Sequence, residues 1–477
     1  MECPGYAPPA AMPAPRRFRR DRLQRALHFA AGAAACLSLA LAGPALAQSK
    51  PGVLRVGTSG DYPPFSQAPK GKAKDYEGFD AELARRYAAD RGLEIQWVTF
   101  RWPDLLRDLA AGRFDVAMSG ITIRPDRSVA GSFGTPVVET GAVVLVRDAE
   151  RFDGPEALDR DHVRIAVNAG GHLETVAHQR FPHATVVSVA ENSGVLPALE
   201  KGAVDAALTD TAEASVWQRQ VPGLTRLGPF TRDRKAFLAA AGASRRVADL
   251  DAWLAEREAD GTLDALREEH LGPGPWERVA DPLPALVAAL DERLSLMPWV
   301  GAAKRQAGLP LEVPEREAAV IEEGETAVLE AAHGLGIVPP PVVLVNRFFR
   351  AQIDAAKQVQ WDALRDPDFA PPDRLPDLDS ALRPALSRIG ARSARLLLAL
   401  PSGLGRERIA AALEEGLRSP WLKPSSRHEL VDALVALDSP GPRRDSPAPQ
   451  QGSGGAASAP KPSPSRVQDA TTPGAPQ

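Results

Sequence analysis

The chain has 477 residues, of which 44% are hydrophobic, 25% charged and 5% aromatic, with a formal charge of −4. That length exceeds one ordinary core, so two folded units with unstructured ends are expected. The slightly acidic balance excludes a sequence-blind nucleic-acid binder, which needs a basic face. Both cysteines, Cys3 and Cys36, fall in the first 47 residues, so a chain starting beyond them has no disulfide, thiolate metal site or cysteine nucleophile.

The first predicted element accounts for that placement. Arg16, Arg17, Arg19, Arg20, Arg22 and Arg25 form a basic region, and the apolar run 27–41 that follows is too short and alanine-rich for a membrane span. Ala45-Leu46-Ala47 then supplies a small-x-small cleavage pattern before Gln48. Residues 1–47 are read as a secretory signal peptide, which implies a periplasmic product with no membrane attachment after cleavage. Its removal takes away six arginines, Glu2 and Asp21, and moves the formal charge from −4 to −8.

From residue 53 to 272, β-rich runs alternate with amphipathic stretches. LRVGTS, IQWVTF, FDVAMSG, VRIAVNAG, ATVVSVA and VDAALTD read as strands; FDAELARRYAADRG and LLRDLAAG read as helices. This is an α/β domain, taken as 48–272. Gly272-Pro273-Gly274-Pro275 opens a linker, 273–280. Residues 281–437 carry helical periodicity with almost no strand signal and predict a separate all-α domain. From Asp438 to Gln477 there are nine prolines and one large aliphatic residue, Val467, so this tail (438–477) is expected to be disordered.

The α/β segment resembles a family. TSGDYPPFS, YEGFDAELARRYA, RFDVAMSGITIRPDRS and AVDAALTD, in that order over about 220 residues, resemble the periplasmic amino-acid-binding proteins. The resemblance implies two α/β lobes, 53–146 with 232–272 and 147–231, and a ligand cleft between them. Ser119, Gly120 and Thr122 end a strand, with Arg127 five residues after Thr122, a cluster that suits a bidentate carboxylate contact; the family's matching arginine holds a ligand α-carboxylate. Tyr62 and Trp102 look like aromatic walls of the pocket, and Asp210 matches the aspartate that takes a ligand amino group.

Glu213, three residues beyond Asp210, does not belong to a simple binder. GDYPPFS, RWPDLLRDLAAGRFDVAMSG, VNAGG, TDTAEA and RKAFL resemble cyclohexadienyl dehydratase, an enzymatic offshoot of the binding-protein fold. That resemblance implies loss of water and carbon dioxide from prephenate or arogenate. Hydroxide must be protonated as it leaves, and a carboxyl in a desolvated cleft keeps its proton near neutral pH. Glu213 matches the family's general acid. Arg127 and Lys235 are the candidate cations for the carboxylates, while Arg107, on an amphipathic stretch, reads as a surface residue. Asn168 and Gly170 belong to the VNAGG contact loop. After Gly171 the family pattern runs Thr-Asn-Glu, whereas this chain has His172-Leu173-Glu174.

The helical segment carries a second resemblance. ALDERLSLMPWVGAAKRQAGLPLEVPEREAAVI followed by FFRAQIDAAKQVQ is similar to the secreted (gamma) class of chorismate mutase, over about 110 residues. Arg293 and Lys304 are eleven residues apart, about three turns, which returns both cations to one face, with Pro298 bending the path. By resemblance, Arg293 and Arg316 grip carboxylates, Lys304 and Gln360 face the ether oxygen, Glu317 binds the substrate hydroxyl and Arg383 completes the cage. Gln352 and Lys357 support the pattern; Ala356 stands where some relatives have a hydroxyl.

The fold expected is thus a two-lobed, periplasmic-binding-protein-like α/β domain followed by an all-α chorismate mutase domain. The combined expectation is an exported bifunctional enzyme of phenylalanine biosynthesis that converts chorismate to prephenate and prephenate to phenylpyruvate, or arogenate to phenylalanine. It needs no cofactor or metal and takes small molecules as its partners, with a homo-oligomer allowed for. The alternatives are a non-catalytic amino-acid-binding domain fused to an active mutase, and a working dehydratase beside a decayed mutase.

Overall fold

Strand β1 (Val53–Thr58) buries Leu54 and Val56 completely, as the strand beside it buries Ala117, and the first strands assemble into one sheet. The order is β4 (Glu94–Thr99), β1, β5 (Val116–Ala117), β12 (Asp233–Ala240), β6 (Gly131–Thr140). The first three are parallel, and β12 runs antiparallel to both its neighbours. Helix α1 (Phe79–Asp90) lays Phe79, Leu83 and Tyr87 against this sheet at the four-residue spacing of one helical face. The computed structural model describes residues 52–69, 75–152, 154–274 and 276–438; the expected signal peptide and the tail beyond Asp438 lie outside them.

The second lobe has strand order β11 (Thr225–Leu227), β7 (Ala142–Val146), β10 (Ala206–Asp210), β8 (Arg164–Asn168), β9 (Thr185–Val189). Sequence reading starts this lobe at 147, but β7 already belongs to it. All five β7 residues are buried, and the strand pairs with β10 on one side and β11 on the other. The run from Gly131 to Val146 is continuously strand-like, so nothing in its pattern marks the crossing between sheets at Gly141.

Residues 276–280, expected as linker, lie against the first lobe. Trp276 packs on its core, Ala280 N–H donates to Glu258 at 3.0 Å and Arg278 pairs with Asp264 at 2.6 Å. The chain then forms α9 (Pro282–Ser295), α10 (Met297–Gln306), α11 (Pro314–Leu335), α12 (Val342–Ala363), α13 (Arg383–Ala399), α14 (Arg406–Gly416) and α15 (Pro424–Asp438), wrapped about one apolar core. The helix expected to bend at Pro298 instead ends at Ser295 and restarts at Met297, since proline has no N–H for the preceding turn. A Cβ at Gly324 would stand 2.6 Å from the Phe349 ring, so α11 and α12 cross at a distance that only glycine allows.

The two domains fall in one compact unit ending at Asp438. Arg234 of β12 reaches Asp291 of α9 at 2.7 Å and the Gly416 carbonyl at 2.8 Å. Arg392 of α13 is paired with Glu292 and also donates to the Phe133 carbonyl at 2.5 Å. Arg388 donates to the carbonyls of Ser128, Val129 and Gly131 at 3.1 Å, at the end of the short helix α3 (Pro125–Ala130).

Candidate functional sites

The first site lies between the two lobes. Strand β10 ends at Asp210, whose extended backbone opens the helix Thr211–Gln220. Asp-x-x-Glu at 210–213 has the form of a capping box, in which the glutamate would turn back to the cap N–H. Asp210 does cap, its Oδ1 accepting from the N–H groups of Ala212 and Glu213 at 3.0 Å. Glu213 does not turn back. Its carboxyl accepts from Asn192 Nδ2 and from the Thr209 hydroxyl, each at 2.6 Å, and is 1% exposed. Burial, with Asp210 and Asp61 adding repulsion, pushes its pKa well above the usual carboxylate range against those two hydrogen bonds. A carboxyl whose neutral form is favoured by burial therefore stands immediately behind Asn192, a residue of the cleft wall.

Asn192 ties the lobes together. Its side chain also donates to the Asp61 carbonyl at 2.9 Å, across from the β2–β3 hairpin (Asp61–Tyr62 and Ser66–Gln67) of the first lobe. Trp102 Nε1 donates to Asp61 at 3.2 Å. The rings of Tyr62 and Trp102 meet edge-on at 5.7 Å; both residues line the cleft and both belong to the lobe core.

Lys235 enters from β12, whose register slips at Lys235–Ala236, a bulge that re-aims the side chain. Its ammonium stands 2.9 Å from Thr122 Oγ1, 3.2 Å from Tyr62 Oη and 3.2 Å from Asp210 Oδ2. Tyr62 Oη donates to the same Asp210 oxygen. Arg127, on α3, is 3% exposed, with one hydrogen bond, to the Thr122 carbonyl at 3.0 Å, and lies 5.8 Å from the Trp102 ring centroid. Burial, then Arg124, depress its pKa to about 9, so it remains a cation at neutral pH.

In the contact loop, Asn168 is buried with its Oδ1 unpartnered, and Gly170 has φ +71° with Pro103 of the other lobe so close that a Cβ would meet its backbone at 2.8 Å. His172, in the departing tripeptide, hydrogen-bonds Asp233 at 3.0 Å, while Glu174 accepts from Gly170 N–H at 2.7 Å. Burial holds the imidazole below its usual pKa, against the Asp233 bond that raises it. The cavity enclosed is about 30 Å³, room for roughly one water, so admitting a substrate requires the lobes to part.

The second site is a cavity of about 660 Å³ in the helical domain. Arg293, Lys304, Arg316, Glu317, Gln360 and Arg383 all line it. Arg293 is 9% exposed and its guanidinium has no hydrogen bond or ion pair among the described residues; burial, then neighbouring Arg316, lower its pKa to about 10. Lys304 donates to the Leu311 carbonyl at 2.7 Å, and burial lowers its pKa. Glu317 accepts from Lys357 at 3.2 Å and Arg316 pairs with Glu323 at 2.8 Å. Gln360 donates to the Ala356 carbonyl at 3.1 Å, leaving its Oε1 buried without a partner. Phe349, Val300, Ile353 and Ala356 supply apolar wall. Cations around an apolar floor can hold a compact dianion and stabilise charge that develops on an oxygen.

Two expectations need correction. Ser119 does not face the cleft: it is fully buried and bonded to Ser59 N–H at 3.1 Å and to its hydroxyl at 2.9 Å. Asp210 does not line the closed cavity: the helix cap occupies one of its oxygens, and Tyr62 and Lys235, reaching across from the first lobe, occupy the other. Arg107 is at the surface, its side chain 70% exposed, as read. Sequence reading missed Asn192, Thr209 and Asp61, whose residue types signal only turns and strand ends. It also missed Asp80, inside the quoted FDAEL run. Asp80 is 1% exposed, accepts from Gly120 N–H at 2.5 Å and is pushed up to about pKa 7 by burial.

Comparison with known proteins divides the chain at the same place. Residues 54–273 match the family model of bacterial extracellular solute-binding proteins, family 3, and residues 284–361 match chorismate mutase type II. Cyclohexadienyl dehydratase of Pseudomonas aeruginosa is 34% identical over 251 residues, 50% of this chain and 92% of that protein. The L-cystine-binding protein TcyJ of Escherichia coli K12 is 29% identical over 46% of this chain and 83% of its own length. Among solved structures, an ancestral amino-acid-binding protein titled a precursor of cyclohexadienyl dehydratase is 31% identical, with a TM-score of 0.44, over 46% of this chain and 96% of its own.

Proposed function

Since the chain belongs to the bacterial extracellular solute-binding proteins of family 3 and carries a chorismate mutase type II domain after it, we propose that it catalyses two consecutive reactions, chorismate to prephenate and prephenate to phenylpyruvate. The observation that carries this reading is Glu213: a fully buried carboxyl, its pKa raised by burial, that contacts Asn192 in the wall of a cleft also lined by Arg127 and Lys235. A transport receptor has no use for such an acid. The family description and the 1–47 leader support an extracellular, periplasmic place of action, and the helical segment's motifs support the gamma class of mutase.

In the helical cavity the first reaction needs no proton. Arg293, Arg316 and Arg383 hold the two carboxylates and fold the dianion into a compact geometry, while Lys304 and Gln360 face the ether oxygen as its bond to the ring lengthens and the new carbon–carbon bond forms. Glu317 takes the ring hydroxyl. In the cleft, Arg127 and Lys235 with Thr122 bind carboxylates, and Glu213 protonates the departing ring hydroxyl. The carbon–carboxylate bond breaks as that group leaves, its electrons entering the ring; prephenate and one proton give phenylpyruvate, carbon dioxide and water.

The test uses leaderless protein and its Glu213→Gln variant. Phenylpyruvate formation from prephenate is expected in the first and a loss of roughly 10²–10⁴-fold in the second; equal turnover by both removes Glu213 from the chemistry.

A further inference from the structure

We infer that the helical domain serves the α/β domain as a hinge clamp: the turn between α14 and α15 grips the pivot on which the two lobes part, and holds it in the closed setting.

Two chain crossings join the lobes. Strand β6 gives way to β7 at Gly141, and the return runs from β11 to β12 through residues 228–232. Pairing changes hands there. Asp233 still pairs with Thr140 in the first sheet. On the second lobe's side, Phe230 N–H donates to the Ala142 carbonyl at 3.1 Å and Ala142 N–H donates to Thr231 Oγ1 at 2.7 Å. Gly141, Thr231 and Arg232 therefore stand between the two bodies, and a few connecting residues of this kind absorb the backbone rotation of domain closure. Gly141 lies against the Thr231 carbonyl with no room for a Cβ, so the two crossings are packed together.

The helical domain takes hold at this point. Arg418 Nη1 donates to the Arg232 carbonyl at 2.8 Å, and its Nη2 pairs with Glu139, two residues before Gly141. One guanidinium thus bridges both crossings. Arg232 in turn reaches Glu139 at 2.5 Å, the Glu415 carbonyl at 3.3 Å, and the carboxylates of Glu277 at 3.2 Å and Glu415 at 3.4 Å. The grip is fixed from behind, since Arg418 N–H donates to Asp291 of α9 at 2.7 Å and the same carboxylate holds Arg234.

A contact biases an equilibrium only when the two states differ in it. The cleft here is closed, and the grip is complete in that state. Parting the lobes turns the backbone at Thr231 and Arg232 and takes the Arg232 carbonyl and guanidinium off Arg418 and Glu415, while Glu139, inside β6, stays with the first sheet. Arg388 and Arg392 instead meet carbonyls of α3 and β6 within the first lobe, contacts that the rotation leaves alone.

Both cysteines lie in the leader, so in the leaderless chain Glu94→Cys on the first lobe and Lys201→Cys on the second, both exposed, accept a fluorophore pair. Energy transfer between them reads lobe separation without any turnover, so its outcome is independent of the proposed chemistry. Arg418→Ala is expected to lower the closed-to-open ratio roughly fivefold or more, and Arg388→Ala, which loosens the same interface away from the pivot, to leave it unchanged. Arg418→Lys keeps a cation for Glu139 without the second arm and should fall between parent and alanine variant; it also serves if the alanine variant fails to fold. An unchanged ratio in both Arg418 variants, an equal change in Arg388→Ala, or a parent that is only open overturns the inference.

Discussion

Asp210 and Glu213 open one helix three residues apart, and their surroundings give them separate tasks. Asp210 is spent on the helix cap and the Lys235 pair, whereas Glu213 is withdrawn from the capping role and lodged between Asn192 and Thr209. Its pKa is raised mainly by burial, with Asp210 and Asp61 as the facing acids. The acid works only while protonated, so dehydratase kcat should be level at low pH and fall tenfold per unit once the pH passes that raised value. The same shift bears on stability: Glu213's contribution is complete below its unfolded pKa and is lost as pH rises through the folded one. A pH–rate profile falling instead on its acid limb would contradict the assignment. In the helical domain, Arg293→Ala should cost the mutase about 10²–10³-fold in kcat while leaving prephenate turnover unchanged; parallel loss of both activities would mean that the residue acts through folding.

At the scale of elements, most of the fold was legible because burial follows period. Helix α1 spaces Phe79, Leu83 and Tyr87 for one face, and the strands of the first lobe carry their apolar residues where the sheet needs them. The cations of the mutase cavity were legible for a similar reason, since helical spacing brings Arg293 and Lys304 round together even across the break at Leu296. What could not be read was whatever depends on partners far along the chain. An Asp-x-x-Glu start reads the same whether the glutamate caps or faces a cleft. The inward turn of Lys235 depends on a β-bulge that leaves no mark on RKAFL. The strand-like run 131–146 hides the lobe boundary. Glycine positions give a direct check of packing: Gly324→Ala should drive a methyl into Phe349 and cost about 1–3 kcal/mol in the melting of the helical domain, and an unchanged Tm would show that α11 and α12 stand further apart.

Across the whole molecule, the domains are joined by more than a tether. Arg388, Arg392 and Arg395 lie on one face of α13, a pattern that in sequence reads as a solvated charged surface, yet they meet the first lobe. The Arg392–Glu292 pair is buried on both sides. Truncating Arg392 to alanine strands Glu292 and should destabilise by about 3–5 kcal/mol, whereas replacing both by methionine should recover most of that; equal losses for the single and double variants would show that the pair is not shielded from water. Asp291, Glu292 and Arg293 are consecutive on α9, two on the interface and one in the mutase cavity, and Arg234 and Lys235 share the same arrangement on β12. The central claim is that these two cavities run consecutive steps on one substrate. It is tested most directly by giving chorismate alone to the leaderless chain and to its Glu213→Gln variant, and following prephenate and phenylpyruvate together. The account predicts phenylpyruvate from the first and accumulated prephenate from the second; chorismate left unconsumed, or prephenate accumulating equally in both, would contradict it.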